Sequence, residues 1–158
     1  MSEYHAELAW TRDGAVFTDN RYSRRHQWAF DGGANLVASS SPYVVPVPLS
    51  DPTAIDPEEA FVASVASCHM LWFLSLAATR GFIVDSYRDK PSGLLAKDAS
   101  GRLAVTRVTL RPAAEFSGTR MPSKVDVCNL HGEAHAKCFI ANSIRSEVRC
   151  EPPLGEAP

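Results

Sequence analysis

Apolar and polar positions follow two different periods along this chain. From Tyr22 to Asp31, one alternate set is Tyr22, Arg24, His26, Trp28 and Phe30; the other is Ser23, Arg25, Gln27, Ala29 and Asp31. Period two sends successive side chains to opposite faces of a sheet. The segment therefore reads as a strand with one aromatic face, Arg24 and His26 turned inward and Arg25 outward. A short strand is predicted at 5–10, with a turn at Arg12-Asp13-Gly14, and another at 34–40 after the Gly32-Gly33 turn. Further strands read over 82–96 and 103–111, where Val108 and Leu110 alternate with Arg107, Thr109 and Arg111. A last one covers 144–150, with Ile144, Ser146, Val148 and Cys150 set against Arg145, Glu147 and Arg149.

Helical signals interrupt the strands twice. Asp56 can cap a helix N-terminus, Pro57 fits its first position and Glu59 completes a capping box. Glu58 and Glu59 favour the positive end of the helix dipole. Arg80-Gly81 is the stop signal, so the spacing predicts a helix of about 24 residues, roughly 36 Å long. A second helix is predicted from Ser123, with Asp126 as its partner. It carries Val127, Leu130, Ala134, Cys138 and Ala141 at spacings of three and four, a stripe expected to face the core. Residues 41–57 hold five of the chain's eleven prolines. Each removes a backbone donor, so this stretch is an extended loop, and loops of that length in compact domains are often functional. The tail from 152 to 158 has nothing to pack with and is expected to fray beyond a single domain over 1–151.

The first helix contains a run, residues 61–79, without Asp, Glu, Lys or Arg. It is long enough to cross a bilayer. It also holds Ser64, Ser67, His69, Ser75 and Thr79, has no aromatic belt or basic flank, and is surrounded by strands. A central helix wrapped by sheets in an α+β domain is the expectation. At 158 residues and a net charge of −2, composition favours neither nucleic acid nor an anionic membrane as partner. The N-terminal residues lack the basic and apolar regions of a secretory signal, so a cytoplasmic location is expected. There the four cysteines should be free thiols, metal ligands or redox groups.

Those cysteines differ in setting. Cys150 lies on the inward face of the last strand, where packing is the default role. Cys128, off the main stripe of the second helix, is given none. Cys68 sits mid-helix on a line with Ser64, Leu71 and Ser75, more polar than a core stripe requires, and Cys138 sits on the apolar stripe of the second helix. A buried thiol is inert unless a positive charge or a helix N-terminus stabilises its thiolate. Cys68 is about three turns into its helix, so the charge must come from elsewhere. Arg24 is the candidate by strand phase, and a buried guanidinium needs a carboxylate such as Glu58. His131 and His135, four apart on one helical face, could form a zinc site with Cys138, but the segment is not an HExxH motif and no CxxC pair is present. A Cys-His hydrolase through Cys68 is a further reading. His69, directly after Cys68, is left without a role.

Two segments together carry a family resemblance. Asp56 to Met70, "DPEEAFVASVASCHM", followed by Leu130 to Ser143, "LHGEAHAKCFIANS", resembles the OsmC/Ohr family of thiol-dependent peroxidases. Pro57-Glu58 opens the long helix, Cys68 follows ten residues after the glutamate, and Ala134-His135 through Cys138 matches the segment on the second helix. The resemblance implies an intertwined homodimer with antiparallel sheets enclosing long central helices and sites at the subunit interface. It implies that Cys68 attacks an organic hydroperoxide, that Cys138 resolves the sulfenic acid as a disulfide, and that a dithiol reductant restores both. It also implies that Glu58 and an arginine hold the thiolate. Arg24 is preferred, with Arg12 and Arg25 as rivals. No metal, flavin or haem is required. An electrophile-handling thiol module on the same fold is the alternative.

Overall fold

The computed structural model describes residues 1–152, so the tail expected to fray lies almost entirely outside the described residues. The chain gathers into two compact units, residues 1–60 and residues 61 onward. In the first unit, β1 (Ala6–Ala9), β2 (His26–Phe30) and β3 (Asn35–Ala38) form an antiparallel sheet in that order. Trp28 stands opposite Leu8 on one side and Leu36 on the other. The predicted alternation holds in burial: Tyr22, Arg24, His26 and Trp28 are half-buried while Ser23, Arg25 and Gln27 are exposed. The ladder, however, begins only at His26. Ahead of it the chain folds back through a 3₁₀ turn at Phe17–Asp19, and Trp10, Phe17 and Tyr22 pack as an aromatic cluster. Trp10 Nε1 donates to Ser23 O (2.8 Å), and Arg24 N donates to Leu49 O (2.8 Å). Those backbone groups have partners other than a neighbouring strand. Phe30, placed on the inward set by phase, is 37% exposed at the end of β2.

The proline-rich loop after β3 is tied down by main-chain bonds. Ile55 N donates to Val37 O (3.1 Å) and Ser39 N to Ile55 O (3.0 Å). It delivers the chain to α1 (Pro57–Thr79), whose start follows the capping expectation: Glu59 N donates to Asp56 Oδ1 at 2.7 Å, and the Glu59 carboxylate accepts from Asp56 N at 3.4 Å. Gly81, at φ +76°, ends the helix in the left-handed conformation glycine tolerates.

In the second unit, β4 (Ile83–Arg88) pairs antiparallel with β7 (Ala113–Ser117), and β5 (Ser92–Lys97), β6 (Leu103–Leu110) and β8 (Glu147–Cys150) form a three-stranded sheet. The expected strand over 82–96 is thus two strands in two sheets, separated at Asp89-Lys90-Pro91, where proline cannot donate to a ladder. The pattern did not predict β7 at all. Antiparallel pairing was expected throughout, but β8 joins β6 in parallel, Val148 beside Val108 and Cys150 beside Leu110. β5 passes so close to α1 that a Cβ on Gly93 would lie 2.6 Å from Val62 Cγ2.

The second predicted helix is two. α2 (Lys124–Lys137) starts with a complete Ser123/Asp126 capping box and ends at Cys138, whose ψ of 108° breaks the helix before α3 (Phe139–Asn142). Burial still follows the stripe through Leu130, Ala134 and Cys138. On α1 the buried face is Val65, Ala66, His69, Phe73 and Ala77. Phe73 and Ala77 join Phe82, Leu130 and Ala134 in one core cluster; Val65 and Ala66 join Val108 and Leu110 in another. Full burial of a side chain such as Phe73 contributes about 1.5–3 kcal/mol. Part of the uncharged run of α1 is not covered: Ser64, Ser67 and Ser75 are exposed, and Leu71 is 61% exposed.

Candidate functional site

Cys68 and Cys138, 70 residues apart, meet in the second unit. Cys68 is half-buried on α1, and Cys138 is 1% exposed at the break between α2 and α3. The break changes what the sulfur can do. Cys138 caps α3, its Sγ accepting from Ala141 N at 3.4 Å, which it could not do within a continuous helix. The Cys138 thiol is pushed up to about 11, first by burial and next by a hydrogen bond to the Cys68 sulfur; the amides of Ala141 and Ile140 pull the other way. Burial outweighs the amide donors, so at neutral pH Cys138 holds its proton and presents it to Cys68. The pair is a protonated donor beside a partly accessible sulfur, the arrangement in which a sulfenic acid on one sulfur can be captured by the other.

The other two expected residues are not paired with each other. Arg24 Nη1 and Nη2 each donate to Asn20 O at 3.1 Å, Nη2 donates to Asn20 Oδ1 at 2.7 Å, and Nη1 also donates to Tyr22 O. The guanidinium lies 3.8 Å above the Tyr22 ring centroid. Asn20, at φ +58°, turns its carbonyl back toward the arginine, so the donors are met locally and Glu58 is not among the partners. Glu58 lies half-buried in the first turn of α1. Arg25 pairs with Asp51 at the surface, and Arg12 is exposed in its turn.

The histidines assemble differently from the zinc reading. His135 is exposed, whereas His131 is buried against His69. His69 Nε2 and His131 Nδ1 are 3.0 Å apart with the rings stacked at 11°, and Phe73 stacks on the other side of His131 at 4.4 Å. Cys150 Sγ lies 3.9 Å from His69 Nε2. Burial lowers both histidines to about 4, the charges of His131 and His135 adding to the effect on His69. Both rings are therefore neutral at physiological pH. Cys150, expected only to pack, faces this pair, and burial and then Asp89 push its thiol up to about 12. The inward phase of Cys150 was legible in the sequence; nothing local joined it to His69 and His131. A separate cleft of about 890 Å³, lined by Phe61, Lys97, Asp98, Arg102, Ile144 and Arg145 among others, includes neither Cys68 nor Cys138.

Comparison with known proteins bears on the fold that carries these residues. The family model described as OsmC-like protein matches residues 50–152. An OsmC-like protein of unknown function from Vibrio cholerae is similar at 52% identity, over 96% of this chain and 99% of that one, with a TM-score of 0.94. Two organic hydroperoxide resistance proteins share the fold at lower identity. The one from Bacillus subtilis is 18% identical, with a TM-score of 0.67 over 96% of this chain and 98% of that one. The one from Elizabethkingia anophelis is 12% identical, with a TM-score of 0.69 over 96% and 94%. No curated protein matches the chain.

Proposed function

Because this chain belongs to the OsmC-like family, an α+β fold that includes organic hydroperoxide resistance proteins, we propose that it is a cysteine-based peroxidase for organic hydroperoxides. The observation that carries the reading is that the Cys68 thiol lies close enough to Cys138 to shift its protonation. The Cys68 thiolate attacks the terminal peroxide oxygen; the O–O bond breaks, the alkoxide takes a proton and leaves as the alcohol, and Cys68 becomes a sulfenic acid. The Cys138 sulfur then displaces hydroxide from that sulfenic acid, losing its proton as the S–S bond forms, and water leaves. A dithiol reduces the disulfide by exchange and is itself oxidised to a disulfide. The uncharged run of α1 supports an apolar, alkyl or lipid-derived substrate.

A homodimer fits the exposed side of the molecule. The uncharged outer face of α1, with Leu71 61% exposed, and Phe139, 67% exposed, is the surface a second copy would cover. Glu58 and Arg24 retain their proposed role in holding the thiolate. That role requires Arg24 to leave Asn20 and Tyr22 for Glu58, and Arg24→Met should then slow Cys68 oxidation. A reducing compartment such as the cytoplasm would suit the cycle.

The test is intact mass before and after one equivalent of an organic hydroperoxide. Loss of two hydrogens, mapped to Cys68 and Cys138, supports the reading. Oxidation of Cys68 no faster than that of free cysteine removes the peroxidase claim. Cys138→Ser should react once and accumulate over-oxidised Cys68; steady turnover with a dithiol would take Cys138 out of the mechanism.

A further inference from the structure

The peroxidase reading leaves His69, His131 and Cys150 without a task, yet they form the most concentrated group of metal-ligating atoms among the described residues. One ligand atom from each lies within 4.8 Å of the other two. They come from three separate elements, α1, α2 and β8, so the group is made by the tertiary fold and not by a local sequence repeat. We propose that His69 Nε2, His131 Nδ1 and Cys150 Sγ form a binding site for a thiophilic divalent transition metal, Zn²⁺ in the first place.

Three observations support it. The first is geometry. Tetrahedral zinc, with bonds of about 2.0–2.1 Å to nitrogen and about 2.3 Å to sulfur, sets its donors about 3.3–3.6 Å apart. The separations here are 3.0 Å between the two nitrogens and 3.9 Å between sulfur and His69 Nε2, with the third pair of donors no more than 4.8 Å apart. Small side-chain adjustments bridge the difference.

The second is a local excess of unsatisfied polar atoms. His69 Nδ1, Tyr87 Oη and Asp89 Oδ2 are all buried without a hydrogen-bond partner. Asp89 and Cys150 act electrostatically on Tyr87, and Asp89 acts on Cys150, which puts Tyr87 and Asp89 in the neighbourhood of the sulfur. Buried polar groups are ordinarily paired, so unpartnered ones beside a candidate ligand set mark a place where packing alone does not account for the side chains present. Asp89 supplies negative charge beside the ligands without being one of the three.

The third is donor chemistry and access. Two neutral imidazoles and one thiol suit zinc or copper(I), not calcium or magnesium. Cys150 is only half-buried, which leaves a way in. Binding balances simply: the metal displaces the Cys150 thiol proton, which passes to solvent, and the remaining ring protons sit on His69 Nδ1 and His131 Nε2. No redox change is involved, and a fourth position is open for water or an exogenous ligand. The inference is independent of the Cys68–Cys138 reading.

The test must keep the other thiols from binding metal. In reduced Cys68→Ser/Cys128→Ser/Cys138→Ser protein, Cys150 is the remaining thiol. Titration with Co²⁺ should give one equivalent, with a thiolate charge-transfer band and visible bands of tetrahedral intensity, and Zn²⁺ should displace it with release of one proton. If that variant shows no such band, the proposal fails. In the otherwise unaltered chain, Cys150→Ser should abolish the charge-transfer band and His131→Gln should weaken binding by more than about a hundredfold, the most that loss of an outer-shell partner costs. Zinc should raise the thermal midpoint of the unaltered protein and not that of Cys150→Ser. Retention of the band and of the thermal shift in Cys150→Ser would assign the metal to Cys68 and Cys138 and overturn the proposal, as would binding of Cu⁺ without Co²⁺ or Zn²⁺.

Discussion

The proton on Cys138 is the feature of the candidate site most open to direct measurement. Its thiol is raised from 9.0 to about 11. At a pH below both values, a thiol whose pKa is higher by one carries tenfold less thiolate, so at pH 8 Cys138 should carry about one hundredth of the thiolate of an ordinary cysteine. Cys150, pushed up to about 12, should carry about one thousandth. Iodoacetamide reacts with the thiolate. Limiting alkylation of the reduced protein from pH 7 to pH 10, followed by peptide mass spectrometry, reads both cysteines against glutathione in the same solution. Burial of Cys138 slows alkylation at every pH, so the absolute rate does not decide the matter; the pH dependence does. The Cys138 rate should rise about tenfold per pH unit through pH 10, after the glutathione rate has levelled off. A Cys138 plateau at or below pH 9 would refute the argument, because burial would then not be governing the proton. Cys68→Ala supplies the second arm. It removes the sulfur partner but not the burial, so the Cys138 midpoint should fall part of the way. An unchanged midpoint would mean that the contact between the sulfurs contributes nothing.

Three structural substitutions test the framework that holds the site. Asp56→Ala removes the acceptor at the start of α1 and should cost about 0.5–2 kcal/mol in urea unfolding; no loss would mean that the 2.7 Å bond to Glu59 N is not stabilising. Phe73→Ala empties a fully buried position between two aromatic neighbours, Tyr87 and Phe116, and should cost about 3–5 kcal/mol, with less than 1 kcal/mol indicating that the core collapses to fill the space. Gly93→Ala would drive a methyl to 2.6 Å from Val62 Cγ2, and since Val62 is branched and stiff the cost should be about 1–3 kcal/mol; a neutral result would show β5 moving freely away from α1.

Much of the secondary structure was legible because it is written in local chemistry. The Asp56/Glu59 and Ser123/Asp126 boxes depend on residues three apart, and both form. The inward phase of Tyr22, Arg24, His26 and Trp28 depends only on alternation, and burial follows it even where no ladder forms. β7 was missed because "AAEFS" is short and neither strongly apolar nor strictly alternating; its pairing with β4, across about thirty residues, is what makes it a strand. The helix break at Cys138 was missed for a similar reason. No proline or glycine marks it, and the spacing of three and four runs through Cys138 undisturbed.

By itself the sequence determined where the two long helices begin, which alternate positions near Tyr22–Trp28 and Ile144–Cys150 turn inward and that Cys68 and Cys138 belong to one recognisable pair of segments. Capping, alternation and spacing act within a few residues and so can be read without the fold. Only the tertiary structure decided that Arg24 is held by Asn20 and Tyr22, that Cys138 sits at a kink with its sulfur against Cys68, and that a parallel β6–β8 pairing carries Cys150 to His69 and His131. Those outcomes depend on which distant surfaces bury each other. Burial, by removing water from the sulfurs and imidazoles, is also what sets their protonation.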